Sequence, residues 1–203
     1  NEHVNKLMYD EIIGFTEIIK DYSPSIKVKA KIKEHFKEFN KLMDEAKNNK
    51  TSPERLSELA KHESTLIRLK VASNISTPIN ILILFVKQEK NANQAIGDKA
   101  VSTFRKKIRN GSVNNDELLE LAKLDDSNIS FSIASKISPE TPDNVVEALS
   151  QSKHRSVKNK LIRNPYTKDN IILSLSLDKD LDVLYTISQI IQYRESNVAE
   201  KII

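Results

Sequence analysis

Neither cysteine nor tryptophan occurs anywhere in the 203 residues, and glycine occurs only three times. Without cysteine there is no disulfide, no thiolate nucleophile and no Cys-ligated zinc or iron–sulfur centre, which fits a reducing, cytoplasmic setting. Gly14, Gly97 and Gly111 are too scattered for a phosphate-cradling loop of the GxGxxG or GxxxxGK kind, so nucleotide binding of those types is excluded. Long apolar runs are missing as well. The longest, Ile79–Val86, is interrupted by Asn80 and is far short of the roughly 20 residues of a membrane span. Aromatic residues make up 5%, against 38% hydrophobic and 30% charged, the polar side of globular composition that an elongated body with much exposed surface requires. The chain begins at Asn1 without a Met or a basic-then-apolar leader, which points to a portion of a longer chain.

What is present is a repeat. Thr51–Ser76 recurs without a gap as Val113–Ser138: Leu56 falls on Leu118, Leu59 on Leu121, Ala60 on Ala122, Ile67 on Ile129, Val71 on Ile133 and Ala72 on Ala134. The apolar positions repeat while most polar ones drift, as expected of a supersecondary unit that buries its apolar face only by stacking on its neighbours. On this register Ile133 belongs between neighbouring repeats, whereas Ser130 beside it is expected to tolerate a charge. Equivalent starts follow at Ser52-Pro53, Thr77-Pro78, Asn114-Asn115, Thr141-Pro142 and Thr167-Lys168. Ser or Thr before Pro reads as a helix start, the hydroxyl capping free N–H groups and Pro suiting the first turn.

Each unit then carries a short first helix (Leu56/Leu59, Ile81/Leu84, Leu118/Leu121), a polar turn, and a second helix (Ile67/Val71, Ile129/Ile133, Val157/Leu161, Val183/Ile187). The second unit is longer. Ile96, Ala100, Phe104 and Ile108 recur at four-residue steps, which predicts a long helix stopping near Asn110-Gly111. Ahead of the repeats, residues 1–50 read as a helical pair: Val4 to Tyr22 at helical spacing, then a start at Ser23-Pro24 and a stripe of Val28, Ile32, Phe36, Phe39, Met43 and Ala46. Although Ile26–Lys33 alternates like a strand, the stripe favours helix. Residues 51–190 hold about five repeats, and 191–203 read as the terminal cap that such arrays need.

The pattern Thr-Pro, two spacers, Leu, two spacers, Leu-Ala, an acidic turn and Ile67-Arg68, closed by Asn74-Ile75-Ser76-Thr77-Pro78 or Asn164-Pro165-Tyr166-Thr167, resembles the leucine-rich repeat variant family, a short HEAT-like helical repeat. Over roughly 51–190 the resemblance implies an all-α, right-handed α-solenoid of alternating α and shorter 3₁₀-like helices. Departures are Ser130, Lys158 and Leu184 at the Arg68 position, the long second repeat, and the absence of the Cys-rich iron–sulfur segment of some relatives. No cofactor is therefore expected.

Candidate chemistry is sparse. His3, His35, His62 and His154 lie in separate elements without a partner at metal-ligand spacing, so no metal is expected. Ser150-Gln151-Ser152-Lys153 has the SxxK spacing of some acyl enzymes but lacks companion motifs. Asp125-Asp126 reads as a helix cap before it reads as a carboxylate pair for acid–base work. Arg68 reads as a partner of its acidic turn before a ligand contact. Phe85, Phe104, Phe131 and Tyr185 follow apolar stripes and read as core. No catalytic residue is expected.

Charge is the functional hint, because it is banded. Residues 51–112 carry 11 Lys and Arg against 5 Asp and Glu, net +6; residues 113–150 carry 2 against 8, net −6; residues 151–203 carry 9 against 6, net +3. With Phe104 inward, Lys99, Lys106 and Arg109 fall about 140–180° away at 100° per residue, flanked by Arg105 and Lys107. A second basic stretch comprises Lys153, Arg155, Lys158 and Lys160, with His154 and Arg163 beside them. The leading expectation is a non-enzymatic scaffold or adaptor for a protein partner. Its rivals are a sequence-independent nucleic-acid binder using these two stretches and, by resemblance, a HEAT-repeat alkylpurine DNA glycosylase, which the lack of Trp weakens. Oligomeric state is left open.

Overall fold

A computed structural model describes residues 26–200. These are helical, with no strand among them: α1 Ile26–Lys47, α2 Pro53–Leu59, α3 Thr65–Ser73, α4 Ile79–Ala92, α5 Gln94–Arg109, α6 Asn115–Lys123, α7 Ser127–Ala134, α8 Asp143–Ser150, α9 Arg155–Ile162, α10 Asp169–Leu175 and α11 Leu181–Glu200. The helix expected over Val4–Tyr22 and its successor's start at Ser23-Pro24 lie outside the described residues, as do 201–203 of the expected cap. Within α1 the alternating opening is helical, and of its apolar stripe Met43 and Ala46 are buried.

Several starts follow directly from local chemistry. Ser52 accepts from Arg55 N at 3.2 Å with Pro53 in the first turn of α2, and Asn114 and Glu117 form a reciprocal capping box on α6. Asp126 caps α7, accepting from Asn128 N at 3.0 Å and Ile129 N at 3.2 Å, which is the role expected of this turn. Helix α5 ends as predicted. Gly111, at φ +68, lets Ser112 N reach back to Lys107 O at 2.9 Å and Gly111 N to Ile108 O at 3.3 Å, the paired bonds of a left-handed C-terminal cap.

Two compact units divide at residue 104, inside α5. In the first, α1 packs on both α2 and α3, and Thr103 of α5 donates to Ala72 O at 2.7 Å. In the second, α6, α8 and α10 pack in succession as one row and α7, α9 and α11 as another, with α6 on α7, α8 on α9 and α10 on α11. The core lies between the rows. Repeat-equivalent positions are buried alike, Ile67 with Ile129, Val71 with Ile133 and Ala72 with Ala134, as are Ile96, Ala100, Phe104 and Ile108.

The inter-repeat turn is built by an asparagine. Asn74 Nδ2 donates to Ala46 O at 2.9 Å and Asn48 O at 3.0 Å while its Oδ1 accepts from Ser76 N at 2.9 Å. Asn164 repeats this on Ala134 O, Ile137 O and Tyr166 N. In both turns the threonine three residues on donates backwards, Thr77 to Val71 O at 2.6 Å and Thr167 to Leu161 O at 2.7 Å. These hydroxyls therefore satisfy the last carbonyls of the preceding helix, where the sequence had suggested the N–H groups of the next one.

Four apolar assignments change, the first being Phe36 on the α1 stripe, which is exposed. Leu84, Phe131 and Tyr185 are exposed; each lies about 160° from a buried neighbour two residues away (Leu82, Ile133 and Ile187) at 100° per residue, so their own helices turn them outward. Ser130 changes in the opposite sense, being fully buried with its hydroxyl unpaired. It does not tolerate a charge. Ser130→Ala should raise stability by about 1 kcal/mol by removing an orphaned hydroxyl, read as a higher urea midpoint with unchanged slope; a loss of stability would contradict the unpaired state.

Candidate functional site

Helix α5 displays Arg105, Lys106 and Arg109 on an exposed face, with no carboxylate within ion-pair distance among the described residues. Lys99 is half-buried on the same helix. Lys107 is only 8% exposed and does not join them. It lies about 60° from Phe104 at 100° per residue, so the helix rotation that buries Phe104 draws it inward, and burial holds its ammonium pKa below the ordinary lysine range, against the pull of Glu117. Sequence reasoning missed a meeting of cations that folding creates around Lys70. Lys70 has its pKa lowered, first by its own burial and then by Lys47 and Lys99; the three come from α3, α1 and α5, and no linear spacing announces them.

The second basic stretch is largely neutralised. The turn between α10 and α11 carries Asp178 and Asp180, and Asp182 follows in the first turn of α11; the first two are held in Asx arrangements, Asp178 Oδ1 accepting from Asp180 N at 2.9 Å and Asp180 Oδ1 from Asp182 N at 3.0 Å. Arg155 pairs with Asp182 and approaches Asp180 at 4.0 Å. Lys158 Nζ donates to Asp178 at 2.6 Å with both side chains mostly buried, 18% and 14% exposed. Lys153 Nζ lies 3.5 Å from Asp125, and Lys160 Nζ sits 6.0 Å over the Phe131 ring. Arg155 and Lys158 thus tie α9 to the acidic stretch that leads into α11, and Lys153 reaches the Asp125 turn. The signal was legible in the DKDLD run at 178–182, which the charge bands averaged away.

The Lys158 bond, first among several contacts, holds the Asp178 carboxyl below the usual carboxylate range. A depressed carboxyl contributes stability above its unfolded pKa of about 3.9, lost as pH falls through the lower folded value. Lys158→Met should therefore flatten the acid limb of the melting curve below about pH 4. An acid limb identical to wild type would remove the pair from the stability account.

Nucleophile chemistry finds no support in these positions. Ser150 donates to Glu147 O at 2.7 Å, within its own helix. Ser152, Asp125 and His154 do converge, unannounced by spacing: Ser152 Oγ donates to Asp125 Oδ1 at 2.6 Å, and His154 Nε2 lies 2.8 Å from Asp125 O. A base must face the hydroxyl it activates, and here the imidazole faces a backbone carbonyl. The group instead braces Asp125, which occupies the left-handed region at φ +47. His62 is likewise structural, Nδ1 accepting from Ser64 N at 2.9 Å, and Arg68 donates to His62 O at 2.9 Å and Glu63 O at 2.7 Å, closing its own acidic turn. Among the described residues, no helix is long and apolar enough to cross a membrane.

Apolar surface is the other exposed feature. Leu173, Leu177, Leu181 and Tyr185, at four-residue steps from α10 into α11, are 70%, 84%, 78% and 64% exposed. No family model matches the chain, and comparison with curated proteins and with solved structures finds no match.

Proposed function

We propose that the chain is a non-enzymatic, right-handed α-solenoid of leucine-rich-variant or HEAT-like repeats that works in the cytoplasm as an adaptor for a protein partner. The observation that carries this reading is the exposure of Leu173, Leu177, Leu181 and Tyr185 along α10, the turn after it and α11. Large apolar side chains left in water mark protein contacts, and a phosphate backbone has no use for them. The row-on-row packing of α6 to α11 supports the repeat architecture, and the asparagine turns support the family resemblance.

The test is capture from nuclease-treated lysate of the source cells, with wild-type and Leu177→Asp/Leu181→Asp baits of equal stability. Proteins retained by the wild type and lost by the double variant support the adaptor. Identical retention by both baits removes these leucines from the interface.

A second reading, sequence-independent nucleic-acid binding, is favoured by the exposed cations of α5 and by Lys70, on which the charges of Lys47 and Lys99 both act. With Arg155 and Lys158 committed to aspartates, it rests on the first basic stretch alone. Reversing Arg105, Lys106 and Arg109 to Glu should then flatten the log–log salt dependence of duplex DNA binding by about 2–3 units. Sub-micromolar DNA affinity near physiological salt, lost in that variant with the fold intact, would place this reading first.

A further inference from the structure

We propose that the groove between α8 and the turn entering α10 receives an arginine side chain of the protein partner, an inference that rests on the adaptor reading above. The groove encloses about 330 Å³, the lower end of the roughly 300–1,000 Å³ range of small-ligand pockets, and so suits one long side chain. Its floor is apolar, made by Ile137, Val146 and Ile171, all buried. Tyr166, 54% exposed, stands as a wall.

The rim is acidic. Lys168 and Asp143 pair at 2.7 Å, which leaves the exposed Glu147 carboxylate as the unmatched charge on the groove. Ser138, also in the lining, donates to Glu140 at 2.7 Å and fixes a further carboxylate beside it. The surrounding segment 113–150, net −6 by 2 basic against 8 acidic residues, attracts a cation and repels a polyanion.

Arginine fits this combination better than lysine does. Its planar guanidinium stacks on an aromatic face while donating two parallel N–H bonds to a carboxylate, and its methylenes cover apolar floor. The walls are also set before any ligand arrives. Asn164 accepts from Tyr166 N at 2.9 Å and donates to Ile137 O at 3.2 Å, and Thr141 Oγ1 accepts from Ser138 N at 3.0 Å. Little ordering is left for binding to impose.

The test is an NMR titration of the ¹⁵N-labelled full chain with N-acetyl-arginine amide, its neutral isostere N-acetyl-citrulline amide, and N-acetyl-lysine amide. Saturable shifts confined to the groove are expected for arginine, about tenfold weaker for citrulline. Glu147→Gln should weaken arginine binding about 5–10-fold and Tyr166→Ala about 3–5-fold, whereas Glu120→Gln, elsewhere in the same acidic segment, should leave it unchanged. All three side chains are exposed or half-exposed on the surface, so folding is retained. An equal response to citrulline, equal weakening by Glu120→Gln, stronger binding of lysine, or no shift at the groove each overturns the proposal. None of these touches the adaptor reading, which the capture of partners by the leucine surface decides separately; partners kept by Glu147→Gln bait and lost by Leu177→Asp/Leu181→Asp bait would sink the groove alone.

Discussion

Ile133→Asp should cost about 4–5 kcal/mol, enough to unfold most of a domain whose total stability lies in the usual range of about 5–15 kcal/mol. Ile133 is 2% exposed in α7, the helix that packs on both α6 and α9. The substitution forfeits about 2–3 kcal/mol of apolar burial and places a carboxylate in the interior, so the group must protonate or force the rows apart. Ile133→Val at the same position removes one methylene and should cost about 0.5–1.5 kcal/mol. Urea denaturation followed by circular dichroism separates the two. Similar midpoints for Asp and Val would mean that the 133 side chain faces water and that the repeat register is wrong.

Asn74→Ala should cost about 2–4 kcal/mol, through hydrogen bonds and not volume. The side chain is 3% exposed and makes three bonds, donating to Ala46 O and Asn48 O and accepting from Ser76 N. Alanine leaves two carbonyls and one N–H without these partners. Asn74→Asp is the sharper variant, since it turns an acceptor towards both carbonyls. The new carboxyl is favoured neutral in the fold, so its pKa is raised and the variant should lose stability as pH rises through the ordinary carboxylate range. Asn164→Ala should cost less, because its bonds to Ala134 O and Ile137 O are longer, at 3.4 and 3.2 Å, and the site is half-exposed. Equal losses at 74 and 164, or a pH-independent Asn74→Asp, would contradict the proposed anchoring.

Much of the helical organisation is legible in the sequence, because the rules that govern it are local. The Ser52-Pro53 start, the Asn114/Glu117 box, the Asp126 cap and the Gly111 stop each depend on a few consecutive residues. The gapless match of Thr51–Ser76 to Val113–Ser138 carries the core positions, because a stacked helix pair must bury the same face in every unit. The NxxT turn is written there too, although its bonds reach back by 26 to 30 residues to the ends of α1 and α7, each two helices earlier than the turn it anchors.

Rotation about each helix axis and the meeting of distant charges were decided only by tertiary packing. Periodicity places Phe131 and Tyr185 near an apolar stripe, but the neighbours that α7 and α11 meet turn those rings outward and Ser130 inward. Lys107 follows Phe104 into the interior for the same reason. Linear charge counts read 151–203 as basic, yet Arg155 and Lys158 close on Asp182 and Asp178, 27 and 20 residues away, and opposite charges that pair are spent for binding. Conversely the charges of Lys47 and Lys99, on two other helices and joined to Lys70 by no window of sequence, act on it. The sequence by itself determined which residues form helices and repeat; which side chains remain free at the surface was decided by contacts between helices far apart in the chain, because exposure depends on the neighbour and not on the residue.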